Sequence, residues 1–292
     1  MGRVAVIGDV GGHLSHLRAA LTSLGAHGDD LRLPDGLTVV QVGDLVDRGP
    51  DSTGVLALVD HYLESQPSQW VQLVGNHEAQ YLPGGIAFWR ETLTDADAGR
   101  LRRWWGEERM QVAAVIRLAD GDDVLVTHAG LTVDAWRLLG EPMTATTAGL
   151  HLNERPEPLI WQGDGFTTDT VAGPLWTEAG SELYEPWLVY YGEGGFVPFD
   201  QAHGHSSVAS FEDGTWRCTG RVRQRATADW EARHVRVRIG GRCFTGVDPK
   251  HGRHGAAHWR PLVLDGADVL IGQARDQGRF NVIGDQTTLN LP

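Results

Sequence analysis

The sequence has little cysteine and no long apolar run. Cys218 and Cys243 are the only cysteines among 292 residues, too few for the disulfide framework of a small secreted protein. No apolar stretch approaches the roughly 20 residues that a helix needs to span a bilayer. Residues 1–10 lack the basic, apolar and small-residue order of a signal peptide. We therefore expect a soluble protein of the reducing cytoplasm with no membrane partner.

Positive charge is also scarce. Arg and Lys total 25 against 38 Asp and Glu, a formal net charge of −13, and Lys250 is the only lysine. Such a charge disfavours non-specific binding to nucleic acid or anionic membranes. An arginine-rich stretch at 217–242 is the exception, and its alternate residues Arg236 and Arg238 are most simply the solvated face of a strand. A phosphorylated substrate would need local positive charge from metal ions or placed arginines.

The remaining composition, 41% hydrophobic and 22% charged, is that of a globular protein. A β-loop-α pattern recurs, with strands predicted at 3–7, 37–42 and 70–74, each followed by a polar loop and a helical pattern. Strands that alternate with helices indicate a sheet with parallel members, and ligands bind at the carboxyl ends of such strands. All three polar loops lie at that end.

A single domain over 1–292 is expected, with two sheets packed face to face and helices outside. Residues 112–118 and 123–127 are predicted to form an antiparallel pair. The stretch 138–200, rich in Pro, Gly and Trp, predicts an irregular excursion that shapes a substrate pocket. Residues 206–292 alternate in the manner of antiparallel strands. The tryptophans are interpreted mainly as core residues, although some could stack on a nucleobase.

Five short motifs carry the polar residues of these loops. They are Gly8-Asp9-Val10-Gly11-Gly12-His13, Gly43-Asp44-Leu45-Val46-Asp47-Arg48-Gly49, Gly75-Asn76-His77-Glu78, Thr127-His128-Ala129-Gly130 and His203-Gly204-His205-Ser206. In this order they resemble the calcineurin-like metallophosphoesterase superfamily, in its protein-phosphatase-like branch of Ser/Thr phosphatases and dinucleoside tetraphosphatases. The resemblance covers residues 4–206, with a weaker similarity at 246–248. It implies an α/β fold, a four-layer α/β/β/α sandwich with mixed sheets.

The resemblance further implies a centre of two divalent metal ions, Mn²⁺ or else Fe or Zn²⁺. Asp9 would bind the first ion, Asp44 would bridge the two, and Asn76, His128 and His205 would complete the second. Carboxylate, carboxamide and imidazole ligands suit such borderline metals. Two ions a few ångströms apart can clamp a phosphoryl group.

By the same resemblance, His77 would protonate the leaving-group oxygen as general acid while Asp47 holds its imidazole. Arg48 would contact the phosphate of the substrate, and Arg155 is a second candidate for such a contact. Glu78 is interpreted as a first-turn helix carboxylate. The implied reaction is hydrolysis of a phosphate ester, a monoester first, by a metal-bound water. The substrate would be a phosphorylated small molecule, a nucleotide or a phosphoprotein.

One ligand of the family pattern is missing. The family carries His two residues after the first Asp, where this chain has Gly11. We therefore expect the first metal site to be weaker, differently ligated or empty. His13, at the start of a helix beside the loop, is one candidate substitute. His203 is another, because an extended segment would point His203 and His205 to the same face.

Two rival functions stay open. A phosphodiesterase or dinucleoside polyphosphate hydrolase would use the same centre, with the Trp-rich excursion recognising a base. A degenerate member that binds phosphorylated ligands without turnover is suggested by Gly11. The presence of His77, Asp47 and Arg48 argues against that alternative, because a binding module has little need of a positioned general acid.

Overall fold

The computed structural model describes residues 2–90, 92–154, 173–251 and 258–272. One sheet has five strands. They are β1 (Arg3–Ile7), β2 (Leu37–Gln41), β3 (Trp70–Leu73), β4 (Met110–Gln111) and β13 (Leu262–Asp265). Their order is β13-β1-β2-β3-β4. β1 to β4 are parallel, as the β-loop-α pattern predicts, and β13 is antiparallel to β1.

The second sheet has seven strands. They are β5 (Ala113–Arg117), β6 (Asp123–Thr127), β7 (Asp200–His203), β10 (Ala226–Asp229), β11 (His234–Ile239), β12 (Arg242–Gly246) and β14 (Asp268–Ile271). Their order is β10-β11-β12-β7-β6-β5-β14, in which β12, β7 and β6 run parallel. A separate small pair joins β8 (Ala209–Ser210) to β9 (Thr215–Trp216).

The two sheets pack face to face because their strands are apolar on both faces. In β1, Val4 and Val6 belong to a buried cluster that also contains Val126 and Ala202 of the second sheet. The alternate side chains of β1 point to the opposite face and pack in the larger, helix-containing core. The chain passes between the sheets at Val112, where β4 ends and β5 begins.

Helices cover the outer faces. They are α1 (Leu14–Ser23), α2 (Ser52–Ser65), α3 (Asn76–Ala79), α4 (Asp95–Gly106), α5 (Val133–Leu138), α6 (Ala145–Asn153), a π-helical segment (Ala179–Tyr184), α7 (Glu185–Gly192) and α8 (Gly220–Arg223). Tyr62 of α2 stacks on Trp70 of β3 with ring centroids 4.6 Å apart, while α6 packs on β5 and β6. The predicted α/β/β/α sandwich is therefore confirmed. None of the described helices is long and apolar enough to cross a membrane.

The stretch 138–200 differs from the prediction. Within its described parts it forms α6, the π-helical segment and α7, so the expected irregular excursion is wrong there. The prediction rested on the content of Pro, Gly and Trp, but Pro186 lies in the first turn of α7, where its missing N–H costs no hydrogen bond. The antiparallel pattern expected over 206–292 is also interrupted at α8, where the side chain of Thr219 caps the helix by accepting from the N–H of Val222.

Candidate metal centre

The motif residues converge where the carboxyl ends of both sheets meet. Asp9, Asp44 and Asn76 follow β1, β2 and β3. His128 follows β6, and His205 follows β7, the parallel neighbour of β6. The ring of His128 reaches the first sheet, since its Nδ1 donates to the carbonyl oxygen of Val42 at 2.9 Å.

Four of these side chains bring ligand atoms to one point. Nε2 of His128 lies 3.0 Å from Oδ1 of Asn76, 3.2 Å from Nδ1 of His205 and 3.4 Å from Oδ1 of Asp44. Nδ1 of His205 lies 3.1 Å from Oδ1 of Asn76. A cation with bonds of about 2.1 Å holds neighbouring ligand atoms roughly 3.0 to 3.4 Å apart in octahedral or tetrahedral geometry. The group therefore has the dimensions of a metal coordination sphere.

The protonation of this group also suits a cation. Nδ1 of His128 carries the proton that it donates to Val42, so Nε2 presents a lone pair. Burial lowers the pKa of His128. Burial and the nearby ring of His128 lower the pKa of His205 to about 3. Burial alone raises the pKa of Asp44, but His77 and His128 outweigh it and lower that pKa. Neutral imidazoles and an ionised carboxylate are the forms that bind metal.

Buried carboxylate oxygens next to this group lack partners. Oδ1 of Asp9 accepts from the N–H of His205 at 2.9 Å, but Oδ2 of Asp9 and Oδ2 of Asp44 are buried without a hydrogen bond. Burial, then the carboxylate of Asp248, then that of Asp44 raise the pKa of Asp9. Ionised carboxylates persist in such surroundings when they are paired with a cation. The residues present therefore fit a metal centre.

The loops that hold these groups have strained backbones. Asp44, Asp47, Arg48 and His205 have φ between 54° and 69°, a left-handed conformation that non-glycine residues adopt at a cost of about 1 kcal/mol or more. Gly204 is required next to them, because a Cβ there would lie 2.3 Å from Oδ1 of Asp9. Such strain is characteristic of functional sites.

Glu78 has a role that the sequence interpretation missed. This carboxylate is fully buried and accepts from the N–H groups of Asp44 at 2.8 Å, Leu45 at 2.8 Å and Gly75 at 2.9 Å. Burial and the charge of Asp44 raise its pKa to about 7. Glu78 thus joins the loop that carries Asp44 to the loop that carries Asn76. In the sequence, the signal for this role was the position of Glu78 directly after Gly75-Asn76-His77.

His77 is held beside the group of four ligand atoms. Its Nδ1 lies 2.6 Å from Oδ2 of Asp47, so the contact expected between these residues is present. Its Nε2 lies 3.3 Å from a guanidinium nitrogen of Arg48 and 3.8 Å from Oδ2 of Asp44. Burial alone lowers the pKa of His77, but Asp44 and the hydrogen bond with Asp47 outweigh burial and raise it.

Aromatic rings line this side of the centre. The rings of Phe88 and Trp89 meet His77 edge-on, with centroids 5.1 and 4.8 Å away. Trp176 packs on Phe88 at 5.0 Å, and the Arg48 guanidinium lies 5.8 Å from the ring of Trp89. The sequence interpretation had assigned tryptophans mainly to the core, and Trp104 and Trp187 are indeed fully buried.

The two candidate substitute ligands have other partners. β7 ends at His203, and His205 has a φ of 63°, so residues 203–205 are not the extended segment on which the His203 hypothesis depends. Nε2 of His203 lies 2.6 Å from the hydroxyl of Tyr184, and its Nδ1 lies 2.9 Å from the carbonyl of Gly204. His13 is buried and packs against His16 and His251 at 5.3 and 4.9 Å. Arg155 lies outside the described residues.

A pocket of about 410 Å³ opens beside the centre. Arg48, His205 and Asp248 are among its lining residues. Its other lining residues include three further basic side chains and one aromatic ring, namely Arg217, Arg233, Lys250 and Phe211. The guanidinium of Arg233 lies 5.8 Å from the ring of Phe211. The four basic side chains of the lining outnumber its two carboxylates, Asp248 and Glu212, although the whole chain is acidic.

The family model of the calcineurin-like phosphoesterases matches residues 2–212. That segment is well over half of the chain and contains all five motifs. The chain therefore belongs to the calcineurin-like phosphoesterase family, and the resemblance inferred from the motifs is confirmed. The match ends before Asp248.

Two curated bacterial relatives are dinucleoside tetraphosphatases. The symmetrical bis(5'-nucleosyl)-tetraphosphatase of Photorhabdus laumondii is 33% identical over 163 residues, which are 53% of this chain and 54% of that protein. The asymmetrical enzyme PrpE of Halalkalibacterium halodurans is 30% identical over 144 residues, 44% of this chain and 57% of that protein. The chain thus spans about half the length of these relatives.

Among solved structures, the cold-active protein-tyrosine phosphatase of a psychrophilic Shewanella is similar in fold. It is 15% identical, the alignment covers 91% of this chain and 76% of that one, and the TM-score is 0.53. This similarity concerns the fold alone.

Proposed function

We propose that the protein is a metal-dependent phosphoesterase that hydrolyses a phosphate monoester. The observation that carries this proposal is the convergence of Asp44, Asn76, His128 and His205 on one point, with ligand atoms 3.0 to 3.4 Å apart. Membership of the calcineurin-like phosphoesterase family supports the same activity. The cofactor would be a pair of divalent ions, with Mn²⁺ as first choice and Fe or Zn²⁺ as alternatives.

Asp44, Asn76, His128 and His205 would hold one ion, and Asp9 together with Asp44 would hold the other. When bound, two such ions stabilise developing negative charge on a phosphoryl group and lower the pKa of water near neutrality. The fixed tautomer of His128 would keep Nε2 available as a ligand.

The other polar groups would act on the substrate. Asp47 accepts the Nδ1 proton of His77, which leaves Nε2 to deliver a proton to the departing oxygen. Arg48, with its guanidinium 3.3 Å from that Nε2, would bind a non-bridging phosphate oxygen next to the leaving group. Phe88 and Trp89 would exclude water from one side of His77.

The test is hydrolysis of 4-nitrophenyl phosphate by metal-stripped protein titrated with Mn²⁺, compared with Asp44→Asn. We expect turnover that depends on metal and falls at least about 100-fold in the variant, because even outer-shell partners of metal ligands cost 10- to 100-fold. Asp134→Asn, at a side chain 67% exposed, is the control and should keep full activity. No metal-dependent turnover of monoester, diester or polyphosphate substrates would favour a phospho-ligand-binding protein instead.

A second candidate function is hydrolysis of a dinucleoside polyphosphate. The pocket that contains Arg217, Arg233 and Lys250 favours it, because these cations lie beside the centre, where the remaining phosphates of such a chain would extend. Phe211 and Trp89 offer rings for a nucleobase. The two tetraphosphatase relatives are consistent with this substrate class.

The two candidates are separated by comparing diadenosine tetraphosphate with 4-nitrophenyl phosphate. Arg217→Gln combined with Lys250→Met should raise KM for the tetraphosphate at least about tenfold, the effect of losing 1.4 kcal/mol of binding, and leave the monoester unaffected. Arg225→Gln, at an exposed arginine outside the pocket, is the matched control. Equal effects on both substrates would exclude polyphosphate recognition by this pocket.

A further inference from the structure

Arg233 is a buried cation in the wall of the pocket beside the proposed metal centre. It lies in the turn between β10 and β11, and only 8% of its surface is exposed. It lines the pocket together with Arg48 and Lys250. Arginine is rarely buried to this extent unless an anion is paired with it. The burial of this guanidinium therefore implies an anion close to it.

No carboxylate in the described part of the chain serves as that anion. Asp248 and Glu212 line the same pocket, yet no described carboxylate oxygen lies within 4.0 Å of the guanidinium nitrogens of Arg233. Burial raises the pKa of Asp248, and the charges of Arg48 and Lys250 act against that rise. These two cations thus offset Asp248, whereas Arg233 has no ion pair of its own among the described residues.

The guanidinium of Arg233 has donors that remain open to the pocket. Its Nη1 donates to the carbonyl oxygen of Pro249 at 2.8 Å, which uses one of five N–H groups. Within the described residues Arg233 makes no second hydrogen bond from its side chain, and none of its nitrogens is buried without a partner. The other nitrogens are therefore accessible from the pocket. A guanidinium in this state can bind phosphate through two parallel hydrogen bonds.

The side chain is held in place before any ligand binds. Oδ1 of Asp229 accepts from the N–H groups of Glu231 at 3.1 Å and Ala232 at 2.8 Å, which closes the turn before Arg233. Arg233 itself has a φ of 61°, a left-handed conformation that is characteristic of functional sites. A cation–π contact, 5.8 Å from the guanidinium carbon to the ring centroid of Phe211, restrains it further. Such preorganisation reduces the entropy lost on binding.

We propose that Arg233 anchors a second phosphate subsite, which binds a phosphate group of the substrate that is not cleaved. The same pocket contains Arg48 and His205 of the proposed centre, and its volume of about 410 Å³ is in the range of small-molecule sites. A bound substrate would place one phosphate at the centre and another at Arg233. The inference rests on the proposed function and names substrates with two or more phosphates as the preferred class. Arg233 lies outside residues 2–212, which match the family.

The first experiment measures binding without catalysis. Metal-stripped protein is titrated with tripolyphosphate by isothermal titration calorimetry at low salt, where charges are less screened. Arg233→Gln should raise the Kd at least about tenfold, because a charge-assisted bidentate contact is lost. Arg225→Gln, at an exposed arginine outside the pocket, should leave the Kd unchanged.

A second variant keeps the test independent of folding. Arg233→Lys retains the charge and a donor for the carbonyl of Pro249 but cannot bind phosphate bidentately, so the Kd should rise at least about threefold. Thermal melting shows whether each variant is folded.

The second experiment connects the subsite with the substrate. In the Mn²⁺-loaded enzyme, Arg233→Gln should raise KM for diadenosine tetraphosphate at least about tenfold more than KM for 4-nitrophenyl phosphate, which has no second phosphate. A merely structural role of Arg233 would change both KM values by the same factor.

Three results would overturn the inference. The first is a wild type that does not bind tripolyphosphate, and the second is an unchanged Kd in the folded Arg233 variants. The third is an Arg233-dependent Kd with equal effects on both KM values, which would indicate a site for free anions only. Failure of the proposed function is distinct from these. A wild type that binds tripolyphosphate through Arg233 but hydrolyses no phosphate ester would reject the hydrolase while leaving the anion subsite intact.

Discussion

Glu78 accepts from three backbone N–H groups, two in the Asp44 loop and that of Gly75 before Asn76. Glu78→Ala would leave these buried donors unpaired, at about 1 to 3 kcal/mol for each lost partner. We therefore expect the free energy of unfolding of the metal-free protein to fall by about 3 kcal/mol or more. Urea denaturation measures this change. Glu64→Ala, at an exposed position of α2, is the control, and an equal effect of the two substitutions would contradict the role given to Glu78.

At the scale of residues, the motifs predicted which side chains meet but not how they are supported. Asp44, Asn76, His128 and His205 converge as expected, while their roles as ligands stay predictions. Glu78 was underestimated because a carboxylate in a first helical turn usually faces solvent, and burial cannot be read from spacing. The sequence marked residues 246–248 only by a weak similarity to the family. Their packing against Gly8, next to Asp9, arises from the fold and cannot be read from spacing.

The carboxylate of Asp60 makes one of the polar contacts between α2 and α4. Oδ1 of Asp60 accepts from Nε1 of Trp104 at 2.6 Å and from Arg103 at 2.7 Å, and Arg100 lies 3.3 Å from its other oxygen. Burial raises the pKa of Asp60, but the hydrogen bonds from Trp104 and Arg103 outweigh burial and lower it. The ionised form of Asp60 thus stabilises the packing of the two helices.

Asp60→Asn should lower the free energy of unfolding at pH 7 by about 1 kcal/mol, a figure reduced for solvent screening of these partly exposed charges. Because the folded pKa is depressed, this stabilisation is present above the unfolded pKa of about 3.9 and is lost as the pH falls through the folded pKa. Thermal melting of both proteins between pH 7 and pH 3 measures the difference. A difference that stayed constant down to pH 3 would contradict the ionic origin.

At the scale of elements, the sequence predicted best where apolar and turn signals agree. β1 and β6 have the predicted bounds, because each is a short apolar run ended by glycine or a polar loop. α6 and α7 were missed, since Gly and Pro within them suggested loops and tertiary packing overrides these local signals. The pattern over 206–292 gave no separate bounds for β10 and β14, because these edge strands mix polar and apolar residues without clear alternation.

The whole molecule combines an acidic surface with an acidic centre. Because the formal net charge is −13, like charges repel one another in the folded state and bound divalent cations should relieve part of that repulsion. Mn²⁺ at 100 times its dissociation constant contributes about 2.7 kcal/mol to stability. We expect a rise in Tm of roughly 5 °C in calorimetry, and Mg²⁺ at a concentration too low to occupy the sites should leave Tm unchanged.

The hydrogen bond from the N–H of His205 to Asp9 joins residues 196 positions apart along the chain. The proposed ligands come from such distant segments and are assembled only when both sheets have formed, so a partly folded chain would have no complete coordination sphere. An ion held by these residues would bind the native state and not its precursors, and would lower the population of unfolded molecules that proteases attack. The lifetime of the protein should therefore follow the supply of its metal, and depletion of the ion should appear as faster degradation as well as lost activity.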